Sequence, residues 1–125
     1  MPLYTIVTEA GSLTATGKQA LAEKLTALHH EYADVPRNWV HVVFQDYQPG
    51  SGFTAGVPAA AVALTLLIRT GRSDVYKRGL LVQLWALVQE ATGAPNDQIV
   101  LSILEGPASQ AMEMGKIMPD VVSGG

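Results

Sequence analysis

The chain contains no cysteine among its 125 residues, which excludes a disulfide scaffold, a zinc–thiolate site and a thiol nucleophile. Basic residues are also few, eight Lys and Arg against eleven Asp and Glu, and the formal net charge is -3. Because binding to phosphates requires a basic face, we expect no nucleic acid partner. The longest apolar run, residues 57–68, is interrupted by Pro58 and Thr65 and is too short to cross a bilayer. The first residues also lack the basic segment of a signal peptide, so we expect a cytoplasmic protein with no membrane partner.

The chain does have enough apolar residues for a core, and it has an internal repeat. Hydrophobic residues make up 48% of the sequence, which suits one domain of ordinary size. Similar residue types recur at a spacing of sixty residues, which predicts two structural units of the same kind. The matched pairs are Thr5 and Thr65, Gly11 and Gly71, Thr14 and Asp74, Lys18 and Arg78, Leu21 and Leu81, Val40 and Val100, Val43 and Ile103, and Phe44 and Leu104.

Each half has the pattern of a strand, a helix and a second strand. Thr14 and Asp74 are residue types that favour a helix N-cap, and leucines at helical spacing follow Thr14. Pro36 and Pro95 predict where the helices have ended, because the residue before a proline is pushed out of the helical region. The predicted elements are a strand at 3–8, a helix from 14 to about 32, strands at 39–44 and 62–68, a helix at 74–91 and a strand at 98–104.

These elements predict an α+β fold made of tandem β-α-β units in a single domain. Two such units side by side give a four-stranded sheet with both helices on one face. The other face is then uncovered, which favours oligomerisation. The strand at 62–68 is apolar at almost every position, as expected for a strand that is buried on both faces. The expected boundaries are 2–45 for the first unit, 46–60 for a linker, 61–105 for the second unit and 106–125 for a C-terminal segment.

Pro2 is the first candidate for chemistry, because removal of Met1 would expose a secondary amine at the start of the first strand. A proline also begins strands without any chemical role, since it loses no hydrogen bond there. An α-amino group titrates at about 7.7–8.0, and burial or nearby cations lower that pKa. Such an amine would be a general base near neutral pH, or a general acid if it stayed protonated.

Arg69 and Arg72 follow the third predicted strand and flank Gly71. Two guanidinium groups at a strand-to-helix turn can converge on one small carboxylate, although two solvated surface arginines are the alternative. The corresponding turn of the first half, Glu9-Ala10-Gly11-Ser12, has no arginine. The fold itself therefore does not require these cations.

Two weaker candidates are His29, which is followed by His30 near the end of the first helix, and Glu113, between Met112 and Met114. A histidine in the last helical turn can simply be a favourable charge there, and a carboxylate in a C-terminal segment can be fully solvated. No Asp, Glu or Cys set at metal-ligand spacing accompanies the histidines, so we predict no metal site.

Together these residues resemble the tautomerase superfamily, which is characterised by an amino-terminal catalytic proline on a β-α-β fold. Within it, the chain is most similar to the cis-3-chloroacrylic acid dehalogenase group, and the similarity covers nearly the whole chain. It is carried by Pro2, Leu3-Tyr4, the stretch from Leu13-Thr14 to His29, Arg69-x-Gly71-Arg72-Ser73, and Pro107-Ala108-Ser109-Gln110-x-Met112-Glu113-x-Gly115. The resemblance implies a homotrimer and an enzyme that needs no cofactor.

The resemblance also implies roles for individual residues. Pro2 matches the catalytic amine, and His29 matches a histidine that helps to hold substrate or water. Arg69 and Arg72 match the pair that binds the substrate carboxylate. Glu113 matches the carboxylate that activates water.

One position departs from the dehalogenase pattern. Those enzymes have a tyrosine on the fourth strand that assists the water, where this chain has Ser102. A serine is too short to replace a phenol, so efficient hydrolytic dehalogenation is in doubt while tautomerase chemistry is unaffected. Trp39, which stands where the group has an aliphatic residue, and Tyr4 are further candidates for the pocket wall.

We therefore expect a tautomerase of small enol and 2-oxo acids, such as phenylpyruvate or 2-hydroxymuconate, with weak cis-3-haloacrylate dehalogenase activity. The alternatives are a hydratase or hydrolytic dehalogenase of 3-haloacrylates, in which protonated Pro2 is the acid, and a trimeric binding protein without chemistry. His30 and His41 are expected at the surface or at an interface.

Overall fold

The structure is a computed structural model that describes residues 1–121. Its elements are β1 Pro2–Glu9, α1 Ala15–Ala33, β2 His41–Tyr47, β3 Phe53–Thr54, β4 Val57–Pro58, β5 Val62–Arg69, α2 Asp74–Thr92, β6 Ile99–Gly106, β7 Met112–Glu113 and β8 Lys116–Ile117. Neither helix within residues 1–121 combines the length and the apolar character needed to span a membrane.

The four long strands form one mixed sheet in the order β2-β1-β5-β6. Each β-α-β unit contributes a parallel pair, β1 with β2 and β5 with β6. The two units meet along β1 and β5, which run antiparallel. The predicted α+β architecture of two tandem β-α-β units is therefore confirmed, with both helices packed on one face of the sheet.

The core lies between the helices and one face of the sheet. Alternate residues of β1 and β5 are buried there, as expected from the two-residue period of a strand. Tyr4, Ile6, Leu64 and Leu66 are among the buried side chains. Ala63, Thr65 and Leu67, which lie between them on β5, are only partly covered in this chain, so burial of both faces, which the apolar sequence of β5 indicated, is not completed by one polypeptide.

The spacing of the internal repeat is not constant along the chain. β1 and β5 are related by sixty residues, but from the helix N-caps onward the spacing is fifty-nine. Thr14 caps α1 and Ser73 caps α2, so the prediction of Asp74 as the second cap is wrong. The physical reason is a turn after β5 that is one residue shorter than the turn after β1. Leu21 therefore corresponds to Leu80, and the matches predicted beyond the turn are each one residue out of register.

Two segments differ from the sequence-based boundaries. The predicted strand at 39–44 begins at His41, because residues Arg37–Trp39 form a 3-10 turn, in which N–H groups donate to carbonyl oxygens three residues earlier in the chain. Trp39 N donates to Pro36 O at 3.0 Å. The linker contains the β3–β4 hairpin, and the C-terminal segment contains the β7–β8 hairpin. Residues 122–125 of that segment lie outside the described residues.

Candidate active site

The antiparallel pairing of β1 with β5 places the start of one strand beside the end of the other. Pro2 pairs with Ile68, so the arginine-bearing turn begins next to Pro2. A small cleft, of about 10 Å³, opens at this end of the sheet, on the helix side. Its wall includes Pro2, His29, Arg69 and Arg72. Four of the residues singled out in the sequence therefore share one cleft.

Gly71 shapes the turn between the two arginines. Its φ is 131°, a conformation that residues with a side chain rarely adopt. A Cβ at this position would also lie 3.2 Å from the Cβ of Val121. The turn therefore depends on glycine, and its path sets where the two arginine side chains start.

Arg69 is held by the C-terminal segment. It is buried, and its Nη1 donates to the backbone oxygen of Pro119 at 2.6 Å. Its guanidinium carbon lies 5.3 Å from the ring centre of Trp39, within the range of a cation–π contact. Burial, and then the charge of Arg72, lower the pKa of Arg69. The two guanidinium groups repel each other in the cleft, and a bound carboxylate would offset that repulsion.

Arg72 is held by residues of both helices. Its Nη2 donates to the backbone oxygen of Ala33 at 3.3 Å, at the end of α1. Its guanidinium carbon lies 4.7 Å from the ring centre of Tyr76, in the first turn of α2. These contacts orient the side chain along the cleft wall before any ligand arrives.

Tyr4 and His29 form a buried polar pair behind the cleft. Tyr4 is fully buried and His29 is 3% exposed. The Tyr4 hydroxyl lies 2.5 Å from His29 Nδ1. Burial raises the pKa of Tyr4, so its hydroxyl keeps its proton. No other acceptor for that proton is found within residues 1–121, and a buried hydroxyl needs one, so Tyr4 donates to Nδ1.

This bond fixes the chemical form of His29. Burial, and then the charge of Arg72, lower its pKa to about 4, so the ring is neutral at neutral pH. Since Nδ1 accepts from Tyr4, the single ring proton is on Nε2. His29 can therefore offer the cleft a neutral N–H donor, and Tyr4 is the residue that positions it.

Glu113 lies beside the amino terminus. Its Oε2 forms an ion pair with the α-amino group of Met1, and its side chain is 17% exposed. Burial lowers the pKa of the Met1 amine, the pairing with Glu113 raises it, and the charge of Arg69 lowers it further. While Met1 is attached, the nitrogen of Pro2 belongs to a peptide bond and cannot act as a base. Met1 thus lies between the Glu113 carboxylate and the nitrogen of Pro2.

The remaining sequence candidates lie outside the cleft. Trp39 covers Arg69 rather than lining the cavity. Ser102 is exposed on β6, an edge strand, and pairs with Thr65. His30 Nδ1 lies 2.6 Å from the backbone oxygen of Val35, and His41 is exposed, 3.9 Å from Glu113. Within one chain, Ser102 does not approach the other site residues.

The structure also adds a residue that the sequence reasoning missed. Tyr76 lines the cleft and stacks with Arg72, and its ring meets that of Tyr32 edge to face with 4.8 Å between centres. Its position four residues after Arg72, in the first turn of a helix, was the available signal. Within residues 1–121, no group of three His, Asp or Glu side chains is placed to hold a metal ion.

Among the known structures that resemble this chain, the following two are more than 30% identical to it. Native Ps01740 is 36% identical over 90% of this chain and 100% of its own, with a TM-score of 0.86. N1, a member of the cis-3-chloroacrylic acid dehalogenase (cis-CaaD) family, is 32% identical over 96% of this chain and 85% of its own, with a TM-score of 0.90. The Q0 fused 4-OT wild type symmetric trimer, at 21% identity over 94% of this chain and 95% of its own and a TM-score of 0.84, shares the fold.

Two comparisons of the sequence complete the comparison of structures. No curated protein matches it closely enough to count as a relative. The family described as "Putative oxalocrotonate tautomerase enzyme" matches residues 1–124. The chain therefore belongs to this oxalocrotonate tautomerase family, within the tautomerase superfamily.

Proposed function

We propose that the chain, after removal of Met1, is a cofactor-independent tautomerase of small enol and 2-oxo carboxylic acids. The observation that carries this proposal is the single cleft lined by Pro2, His29, Arg69 and Arg72. It combines a nitrogen that becomes an amine with two cations suited to a carboxylate. Membership of the tautomerase family supports the same class of reaction.

Pro2 is the base in this proposal. The pKa of the Met1 amine is lowered overall, because burial and the charge of Arg69 together outweigh the pairing with Glu113, which raises it. Once Met1 is removed, the Pro2 nitrogen is the amine at the same end of β1, with Pro2 buried and both guanidinium groups on the same cleft wall. We expect the same two causes to lower its pKa, which leaves a useful fraction unprotonated at neutral pH.

The reaction moves one proton within the substrate. Arg69 and Arg72 hold the carboxylate. The Pro2 nitrogen takes the proton of the enol hydroxyl; the electrons of that O–H bond form the carbonyl, and the former double bond takes the proton back at carbon. The reverse sequence converts the keto form to the enol. The arginines also stabilise the enolate charge that develops between the two transfers.

His29 is a hydrogen-bond donor in this scheme. With Nδ1 occupied by Tyr4, its Nε2–H can donate to the substrate carboxylate or carbonyl oxygen. It is neutral at neutral pH and adds no third cation to the cleft.

The second candidate is hydration or hydrolytic dehalogenation of cis-3-haloacrylates, which we expect as a weak activity. It is favoured by the position of Glu113 directly beside the amino terminus and by the 32% identity to N1. It requires Glu113 to activate water and a protonated Pro2 to supply the proton at C2. Ser102, exposed and away from the cleft in one chain, supplies no phenol to assist that water.

We propose a homotrimer as the working assembly. The sheet face opposite the helices carries partly or largely exposed apolar side chains, among them Val43, Val100 and Leu104, which another chain would cover. The 4-OT structures that share the fold are trimers. Sedimentation should give three times the chain mass; a monomer at micromolar concentration would contradict this assembly.

A panel of acids tests the activity. Phenylpyruvate enol, 2-hydroxymuconate and cis-3-chloroacrylate are assayed with the wild type, Pro2→Ala and the control Pro36→Ala, which changes an exposed proline outside the cleft. We expect loss of Met1 by mass spectrometry, and a fall in kcat/KM of roughly 100-fold in Pro2→Ala, the lower range for a general base. Pro36→Ala should match the wild type. Retention of Met1, or full turnover by Pro2→Ala, would refute the proposal.

Titration of the Pro2 nitrogen separates the two candidate reactions. A pKa below neutrality, followed by ¹⁵N NMR in the assembled protein, supports the base and the tautomerase. A pKa well above neutrality supports the acid and the dehalogenase.

A further inference from the structure

Tyr76 is a cleft residue to which the proposed function assigns no role. It lies half-buried on the cleft wall, in the first turn of α2, with its ring centre 4.7 Å from the guanidinium carbon of Arg72. This wall is on the helix side, whereas the proposed trimer would cover the opposite face of the sheet. The motif around the arginines that carries the resemblance to the family ends at Ser73, so nothing in it assigns a role to Tyr76.

Tyr32, in the last turn of α1, holds Tyr76 in place. Its hydroxyl donates to the backbone oxygen of Tyr76 at 2.8 Å, and the two rings meet edge to face. Gly79 makes room for Tyr32, because a Cβ at this position would lie 2.5 Å from the Tyr32 hydroxyl oxygen. None of these contacts involves Met1, so removal of Met1 leaves them intact.

The other half of the repeat shows that packing does not require this aromatic pair. At the spacing of fifty-nine residues, Gly17 corresponds to Tyr76 and Ala91 to Tyr32. The same arrangement of two helices therefore forms with a glycine and an alanine at these places. As with the arginines, the larger side chains occur only at the end of the sheet where the cleft lies.

The Tyr76 hydroxyl is a donor without a partner in the described chain. The hydrogen bonds that Tyr76 forms within residues 1–121 involve its backbone only. Burial raises the pKa of Tyr76, and the charges of Arg72 and Arg69 only partly offset this, so the hydroxyl keeps its proton at neutral pH. Both guanidinium charges thus act on this hydroxyl, and an anion that they bind would lie close to it.

We propose that the Tyr76 hydroxyl is a further donor to the substrate carboxylate, beside Arg69 and Arg72. This rests on the proposed function, in which the two arginines bind that carboxylate. The two oxygens of a carboxylate have about four acceptor sites, so another bond is possible without loss of either arginine contact. A neutral hydroxyl adds this bond without adding a positive charge to two cations that already repel each other. Tyr76 is thus a substrate-binding residue that selects for the carboxylate.

Tyr76→Phe tests the hydroxyl alone, because it keeps the ring beside Arg72 and Tyr32. Binding of phenylacetate, an acid without a 2-oxo group, is measured by calorimetry with the assembled protein without Met1. We expect affinity to fall about tenfold, the lower range for a hydrogen bond to a charged group. Tyr47→Phe is the matched control, since it removes a hydroxyl that donates to the backbone oxygen of Ala61, outside the cleft. Its affinity should equal that of the wild type.

Kinetics and stability distinguish a substrate contact from a structural role. With phenylpyruvate enol, the KM of Tyr76→Phe should rise about tenfold while kcat changes little, because the carboxylate is bound equally before and during proton transfer. Urea unfolding should give the stability of the wild type, since the hydroxyl has no partner within residues 1–121 to lose.

The outcomes separate this inference from the proposed function. If Tyr76→Phe weakens phenylacetate binding but the wild type turns over no enol acid, the hydroxyl contact stands and the tautomerase proposal fails. If enol acids turn over, and neither KM nor phenylacetate binding changes in Tyr76→Phe, the hydroxyl contact is refuted. A fall in kcat with unchanged KM, or an equal loss of affinity in Tyr47→Phe, also refutes it.

Discussion

The two β-α-β halves place different residues at equivalent positions of the same architecture. In the first half, buried Tyr4 and His29 form a polar pair, whereas Leu64 and Val88 occupy the matching positions of the second half and are also buried. A strand and a helix of this fold therefore pack well with aliphatic residues at both places. The polar pair is not needed for packing, which argues that it is retained for the cleft beside it.

The turns that follow β1 and β5 show the same contrast. Both contain a glycine at positive φ, Gly11 at 90° and Gly71 at 131°, and both end in a hydroxyl N-cap, Thr14 or Ser73. The backbone thus requires a glycine and a cap in each turn. The arginines occur in one turn only, at the end of the sheet where the chain's amino terminus lies.

Loss of Arg72 should produce the largest effect. Arg72→Ala removes a charge-assisted bond to the substrate carboxylate, and such bonds contribute roughly 3 kcal/mol at the upper end, so kcat/KM should fall about 100-fold. Arg78→Ala removes an exposed arginine from α2 and is the matched control. Steady-state kinetics with phenylpyruvate enol measure both. An equal loss of kcat/KM in the two variants would mean that the effect comes from the total charge of the protein and not from the position of Arg72 in the cleft.

Replacing His29 by the residue of the other half should separate stability from activity. His29→Val leaves the Tyr4 hydroxyl buried without an acceptor, which costs about 1–3 kcal/mol. In Tyr4→Phe/His29→Val both polar groups are gone, so much of the stability should return while the loss of kcat/KM remains. Urea unfolding at fixed protein concentration, together with kinetics, measures the two effects. If the double variant is no more stable than His29→Val, the hydrogen bond is not what the single change disrupts.

Alanine substitutions at Gly11 and Gly71 should distinguish an effect on stability from an effect on the active site. Both substitutions force an alanine into a disfavoured conformation, at a cost of about 1–3 kcal/mol. At Gly71 the added Cβ also meets Val121, whereas at Gly11 it meets nothing within 4 Å. We therefore expect Gly71→Ala to lower both stability and kcat/KM, and Gly11→Ala to lower stability alone. A fall in kcat/KM in Gly11→Ala as well would show that the turns do not act separately.

The elements were predictable because each one has its own local signals. The cap at Thr14, the leucine spacing after it and the prolines past the helix ends are all contained in short stretches of sequence. The change in the spacing of the repeat, from sixty residues to fifty-nine, could not be predicted in this way, because it follows from a single residue missing in the turn after β5. A constant spacing of sixty residues predicts Asp74 as the second cap, whereas the cap in the structure is Ser73.

The site depended on a feature that no short stretch contains. Arg69 and Pro2 are far apart in sequence, and they approach because β1 and β5 pair antiparallel. The composition of two strands does not determine their relative direction, so the resemblance to a family supplied what periodicity could not. The roles of Pro2, His29 and Glu113 stay predictions until the variants are measured.

The pH dependence of stability should give the smallest effect and tests the buried histidine directly. The pKa of His29 is about 4 in the folded chain, against about 6.5 in an unfolded one, because burial and Arg72 disfavour its charged form. Between these values the unfolded chain binds the extra proton, so the contribution of His29 is complete above pH 6.5 and is lost as the pH falls towards 4. At pH 5.5 this loss is about 1.4 kcal/mol. The difference in unfolding free energy between the wild type and Tyr4→Phe/His29→Val, measured by urea at pH 7.5 and 5.5, isolates it from the carboxylates that both proteins share. If this difference in unfolding free energy is the same at both pH values, the pKa of the His29 imidazole is the same in the folded chain as in the unfolded one.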